Sequence, residues 1–391
     1  MKAMSREPLE TVERAGVPYV DLGLEAREIR DELLAAFEAV LDSGQYVLGP
    51  ALARFEREFS DYCSTRYAVG VSSGTSALHL VLRGLGVGEG DEVITAPNTF
   101  IACGSAIALT GAKPVFVDIG GDMNVDPDAV AKAITSRTRG IMPVHFVGRP
   151  ARMPEILRIA KEHDLFVLED AAQAVGSRLE GRRVGSWGTA ACFSLHPLKN
   201  LHAVGDGGMI TTDDHAIFEK MVRSRNHGLK NRDECAFWSH NARLDDLKAA
   251  LLSVELRHLD RKTEARRRLA FRYNELLKPY VEVPLEGEGE YHVYQTYMIQ
   301  VDHRDGLVRH LRENGVGASV HYPIPTPLQP AAKGWGYSSS DFPVAMKVMS
   351  RIVSLPLFPV MTEVQQDQVV ELIVAFYRGR KRKTSGNAGQ I

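Results

Sequence analysis

One side chain that could do chemistry is a lysine in a loop. Lys199 closes the segment Ser194-Leu195-His196-Pro197-Leu198-Lys199, and Gly205-Asp206-Gly207-Gly208 follows shortly after. A loop lysine is ordinarily a solvated surface charge. One that is partly desolvated near a cationic ring is a Schiff-base amine, and the glycines beyond it allow close backbone approach. A second segment, Glu169-Asp170-Ala171-Ala172-Gln173, ends an apolar run. A carboxylate at the carboxyl end of a buried strand is either a loop cap or the partner of a ligand cation, for example a protonated pyridine nitrogen. A third, Ser73-Gly74-Thr75-Ser76, lies between a short apolar run and a helical stretch. There it is either an ordinary N-cap or a cradle of free N–H groups and hydroxyls for a phosphate.

Two other patterns compete. Gly84, Gly86, Gly88 and Gly90 suggest a dinucleotide loop. Their spacing is not G-x-G-x-x-G and they follow a helix, so they read as a helix-to-strand turn. Gly70-Val71-Ser72-Ser73-Gly74 fits G-x-S-x-G between strand and helix, which would make Ser72 a hydrolase nucleophile. No His-Gly-Gly-Gly oxyanion segment precedes it. A serine hydrolase using Ser72 stands as the alternative from another reaction class.

The elements that must position these groups alternate. Helical periodicity covers residues 25–42 and 51–63. Strands are expected at 67–71, 91–95, 113–118, 140–144, 165–170, 191–194 and 209–212. Helices are expected at 77–85, 100–109, 127–134, 153–163 and 216–224. This rhythm of Val- and Ile-rich runs and helices predicts an α/β fold with a mostly parallel sheet flanked by helices. A long helical stretch spans 244–277. Beyond it, a strand at 293–301 and helices at 307–314 and 364–377 predict a smaller α+β domain. The expected division is a large domain over 15–260, a small one over 261–378, and a basic, disordered tail over 379–391.

Composition narrows the classes. The 391 residues carry 47 basic and 49 acidic side chains, a net charge of −2, with 44% apolar residues. That excludes a globally basic nucleic-acid binder and a disordered acidic chain. The four cysteines, Cys63, Cys103, Cys192 and Cys235, form no C-x-x-C pair, and residues 1–16 lack the apolar core of a secretory signal. The expected location is the cytoplasm, with no membrane span and no metal.

Taken together the ordered segments resemble the DegT-type sugar aminotransferases, which use pyridoxal 5'-phosphate (PLP) and have an aspartate-aminotransferase-like fold. The resemblance runs over about residues 20–377. It rests on Ser73-Gly74-Thr75-Ser76-Ala77-Leu78, Gly90-Asp91-Glu92-Val93-Ile94 with Asn98-Thr99-Phe100, and Glu169-Asp170-Ala171-Ala172-Gln173. It continues through the Ser194–Lys199 segment, Asn241-Ala242-Arg243-Leu244-Asp245, His321-Tyr322-Pro323 and Ser354-Leu355-Pro356-Leu357-Phe358-Pro359.

The resemblance implies that Lys199 forms the Schiff base and moves the proton. It implies that Asp170 meets the pyridine nitrogen, Gln173 the phenolic oxygen, and Phe100 the ring face. Gly74, Thr75, Ser76 and Ser194 would hold the phosphate, completed by Asn241 from a second subunit, so a homodimer is implied. His321 and Tyr322 would line the sugar pocket. Relatives with histidine at the lysine position deoxygenate, so Lys199 implies transamination. The implied substrates are an amino donor, L-glutamate, and a keto-sugar. The latter is a nucleotide-linked 3- or 4-keto-deoxyhexose or, alternatively, a free keto-octulosonate on the way to lipopolysaccharide. Val175, Ser239-His240, Lys248 and Gln295 depart from the family's usual residues. They leave the catalytic set intact and bear on which sugar is used.

Overall fold

The computed structural model describes residues 16–386. Its strands are β1 (Tyr67–Val71), β2 (Glu92–Thr95), β3 (Lys113–Phe116), β4 (Thr138–Met142), β5 (Phe166–Asp170), β6 (Arg178–Leu179), β7 (Arg182–Arg183) and β8 (Ala190–Ser194). They continue with β9 (Gly208–Thr212), β10 (Glu290–Tyr291), β11 (Tyr297–Gln300) and β12 (Ile352–Leu355). Seven of them make one sheet in the order β1-β9-β8-β5-β4-β2-β3. The pairs from β8 to β3 are parallel, while β9 runs antiparallel to both β8 and β1.

The reversal at β9 follows from its connection. Parallel neighbours need a crossover, usually helical, whereas β8 returns directly into β9 through the loop that carries Lys199. The start of β9 therefore lies beside the end of β8, with Gly208 opposite both Ser194 and Val71.

Both faces of the sheet are covered. Cys192 packs with Leu78, Val81 and Ile107 on one side, and Ala191 and Phe193 pack with Phe55 and Phe59 on the other. Such two-sided burial explains why these strands read as continuous apolar runs rather than alternating ones.

Several boundaries differ from expectation. The helical stretch 25–42 is two helices, Leu22–Arg27 and Arg30–Ser43, broken at Ile29, where φ is −123°. The strand expected at 293–301 begins only at Tyr297, because Tyr294 holds a left-handed φ of 47°. It pairs with β12, an apolar run too short and proline-flanked to read as a strand. The boundary expected at 260 falls inside a single helix, Asp246–Leu277, of 32 residues. This helix packs Ala249 and Leu252 against the sheet and Tyr273 and Leu277 in the C-terminal core. The terminal helix Glu363–Gly386 runs on into the segment expected as a basic tail, and residues 387–391 lie outside the described residues. Among the described residues no helix is long and apolar enough to cross a membrane.

Candidate functional site

The carboxyl ends of β1, β5 and β8 open into a cavity of about 320 Å³. Thr75, Phe100, Asp170, Gln173, Ser194 and Lys199 line it, with His321 and Tyr322 from the C-terminal part. The sheet thus brings together segments far apart in the chain, at the place where open α/β sheets bind ligands.

At the end of β1 the helix Gly74–Gly84 begins. Ser73 caps it, its Oγ accepting from the Ser76 N–H at 3.0 Å. The first-turn N–H groups of Gly74 and Thr75 precede any intrahelical acceptor and point a positive dipole end at the cavity. The fit here is tight. A Cβ at Gly74 would stand 2.9 Å from Ser194 Cβ, and one at Gly208 would stand 2.4 Å from the Ser73 carbonyl. A glycine at each position lets the three strand ends converge.

Asp170 is buried at the end of β5, only 4% exposed. Its Oδ1 accepts from the Ala172 N–H at 3.0 Å and its Oδ2 from the Cys103 thiol at 2.7 Å. Neighbouring Glu169 faces the opposite side of the strand. It accepts from His145 Nε2 at 3.0 Å and from the N–H groups of Gly185, Trp187 and Gly188 at 2.8 Å each. Glu169 is thus saturated by structural donors, and Asp170 is the carboxylate that meets the cavity.

Lys199 is half-buried on the loop after β8, its N–H donating to the His196 carbonyl at 2.8 Å. Desolvation pushes its amine down to about 8, against the opposing pull of Asp170. Gln173 is held from two sides. Its Oε1 accepts from the Val147 N–H at 2.6 Å and its Nε2 donates to the Tyr322 hydroxyl at 3.3 Å. The rings of Phe100 and Tyr322 lie 5.4 Å apart. Phe100 is 48% exposed, which leaves one aromatic face open. His321 Nδ1 meets Ser354 Oγ at 2.9 Å. Burial pushes its imidazole below the usual histidine range, and the Lys199 charge adds to that.

Asn241 does not join this cavity. It is exposed, paired with Asn226, and accepts from Arg243 Nε at 2.9 Å. The hydrolase alternative fails at its base: the Ser72 hydroxyl bonds Ser76 Oγ at 3.0 Å, and among the described residues no histidine or carboxylate bonds it. The glycine cluster is a turn, as expected, with Gly86 and Gly90 at φ 81° and 87° between helix and β2. Of the departures from the family pattern, Gln295 reaches the site, donating to the Leu198 carbonyl at 2.9 Å and so bracing the lysine loop.

The cavity also contains residues the sequence pattern did not single out. Tyr19 and Arg266 line it, while Cys103 and Val147 stand behind Asp170 and Gln173. The Cys103 sulfur lies 3.2 Å from Thr99 Oγ1, a residue just before the helix Ala102–Ala108, and nothing in the sequence marked that contact. Tyr19 carried no periodicity at all.

A mostly parallel sheet with a desolvated lysine, a buried carboxylate and a helix N-terminus at its carboxyl edge is the arrangement of a pyridoxal-phosphate enzyme. The chain belongs to the DegT/DnrJ/EryC1/StrS aminotransferase family, whose profile matches residues 27–374. It is 43% identical over 367 residues to the "Pleiotropic regulatory protein" of Geobacillus stearothermophilus, covering 93% of this chain and 99% of the relative. It is 41% identical over 360 residues to the dTDP-3-amino-3,4,6-trideoxy-alpha-D-glucose transaminase of Streptomyces venezuelae, covering 91% and 95%. The crystal structure of S. venezuelae DesV in complex with a ketimine intermediate superposes with a TM-score of 0.89 at 41% identity, covering 92% of this chain and 97% of that one.

Proposed function

We propose that this chain uses PLP to transfer an amino group from an amino-acid donor, L-glutamate, to a nucleotide-linked 3- or 4-keto-deoxyhexose. The observation that carries the proposal is the pairing of a lysine amine lowered to about 8 with a buried carboxylate across one cavity. The residues fit the cofactor. The helix start at Gly74, with Gly208 of β9 packed against it, suits a phosphate, Asp170 a ring nitrogen, and the open face of Phe100 a flat heterocycle. When bound, PLP supplies an electrophilic carbon and a ring that takes up electrons.

The chain's own groups do the rest. Lys199 Nζ, with its proton affinity lowered, exists partly as free amine near neutral pH; it takes a proton at the substrate carbon and returns it. Asp170 holds a positive charge at the ring nitrogen. Gln173, fixed by Val147 and Tyr322, presents a polar edge to the ring's oxygen. His321 and Tyr322 face the incoming sugar. Nucleotide linkage is supported by the dTDP-sugar named for the S. venezuelae relative. A homodimer is part of the proposal. Asn241, exposed and outside its own chain's cavity, is available to a second copy's phosphate cradle.

The test is a substrate panel. Purified holoenzyme, glutamate and dTDP- or UDP-linked keto-hexoses are expected to yield an aminated sugar by mass, and a free keto-octulosonate is not. Amination of the free sugar acid alone overturns the nucleotide-linked substrate. Full turnover by Lys199→Ala overturns the chemistry.

A further inference from the structure

Cys103 is a buried thiol that the mechanism above leaves without a task. It lies on the helix Ala102–Ala108, is fully buried and does not line the cavity, so it touches no ligand. Its sulfur is nonetheless 2.7 Å from Asp170 Oδ2 and 3.2 Å from Thr99 Oγ1. A carboxylate is acceptor only, so the thiol donates to Asp170 and the threonine hydroxyl is left to donate to sulfur. Burial and the nearby Asp170 charge raise the thiol well above its usual range, which keeps it protonated and a donor.

The chain of bonds is anchored beyond Thr99. The Thr99 carbonyl accepts from Thr326 Oγ1 at 2.9 Å, and the Pro97 carbonyl accepts from the Thr326 N–H at 2.8 Å. The relay therefore runs from the loop that follows Tyr322 to the Asp170 carboxylate.

We propose that Cys103 is a positioning residue that donates to Asp170 Oδ2, fixing the carboxylate's orientation and moderating its negative charge. The proposal rests on Asp170 facing the cofactor's ring nitrogen. With one oxygen bound to the Ala172 N–H and the other sharing the thiol, Asp170 offers the ring a damped charge. Without the thiol the carboxylate is more negative, and the cofactor holds its own proton more tightly.

The experiment loads wild type, Cys103→Ala and Cys103→Ser with PLP and titrates the visible absorbance with pH. It also measures PLP dissociation from each apoprotein by fluorescence quenching. Cys103→Ala is expected to raise the absorbance midpoint by about half a pH unit, the size of one modest hydrogen bond. Cys103→Ser keeps a donor and is expected to return the midpoint to, or below, the wild-type value. Equal midpoints in wild type and Cys103→Ala overturn the proposal, as does an equal shift in both variants, which would reflect packing alone. If wild type itself shows no visible band with PLP, the functional assignment fails instead, so the two failures are distinct.

Discussion

The floor and the mouth of the cavity are built differently. The floor is made of strand ends. Asp170, Ser194 and the Gly74 helix start are fixed by sheet register, and glycines remove the space a Cβ would need. The mouth is made of side chains from separate loops, Phe100, His321, Tyr322 and Gln295, which touch mostly ring to ring or through single hydrogen bonds. A floor set by backbone geometry holds one chemistry constant. A mouth set by exchangeable side chains tolerates a change of substrate. That is why a family with one cofactor can serve many sugars.

This contrast breaks most sharply at Lys199. Lys199→Ala is expected to lower amino transfer by at least about 1000-fold, measured in single turnovers with glutamate, since both nucleophile and proton carrier are lost. Asp170→Asn, which keeps shape and removes charge, is expected to cost about 100-fold in kcat while the fold survives, checked by circular dichroism. Gly208→Ala tests the floor's backbone. A Cβ 2.4 Å from the Ser73 carbonyl must displace main chain, so PLP affinity is expected to fall about tenfold or more by fluorescence titration.

The mouth is expected to respond more mildly. His321→Ala should raise KM for the keto-sugar severalfold and leave the glutamate half-reaction within about twofold; a reverse split would place His321 with the floor. The smallest effect concerns stability. Lys199 binds its proton less tightly folded, at about 8, than its ordinary value of 10.5. The unfolded chain therefore holds more protons in that window, and this residue's contribution rises with pH from 8 towards 10.5. Below pH 8 the apo Lys199→Met variant is expected to melt slightly higher than apo wild type, with the gap closing at alkaline pH.

Legibility followed the same division. Asp170 ends a buried strand, and Gly74 and Lys199 lie in the turns just beyond two others; each alone had an ordinary structural reading, and only their order along the chain, matched to the family, made them a site. The antiparallel β9 could not, because its direction depends on a loop rather than on any pattern within the strand. Cys103 meets Asp170 across 67 positions of sequence, a contact that only the parallel crossover creates. Asn241 was legible only by resemblance. Nothing local sets it apart, and its own chain leaves it outside the cavity. The tail shows a further limit, since a run of basic residues is compatible with a helix as well as with disorder.

One pairing has a bearing on how the protein is made. Val17 bridges Val316, and its carbonyl accepts from the Gly317 N–H at 2.8 Å, so a segment made early packs into a core made some 300 residues later. Tyr19, on the same segment, lines the cavity. While the ribosome is still extending the chain, the sheet with Asp170 and Lys199 has all its strands in hand, but the N-terminal wall of the site has nothing to dock on. Such distant closure is slow compared with local folding. A complete pocket therefore waits for residues 316 and 317, and a nascent chain stalled before residue 316 would carry the lysine without the enclosure that tunes it.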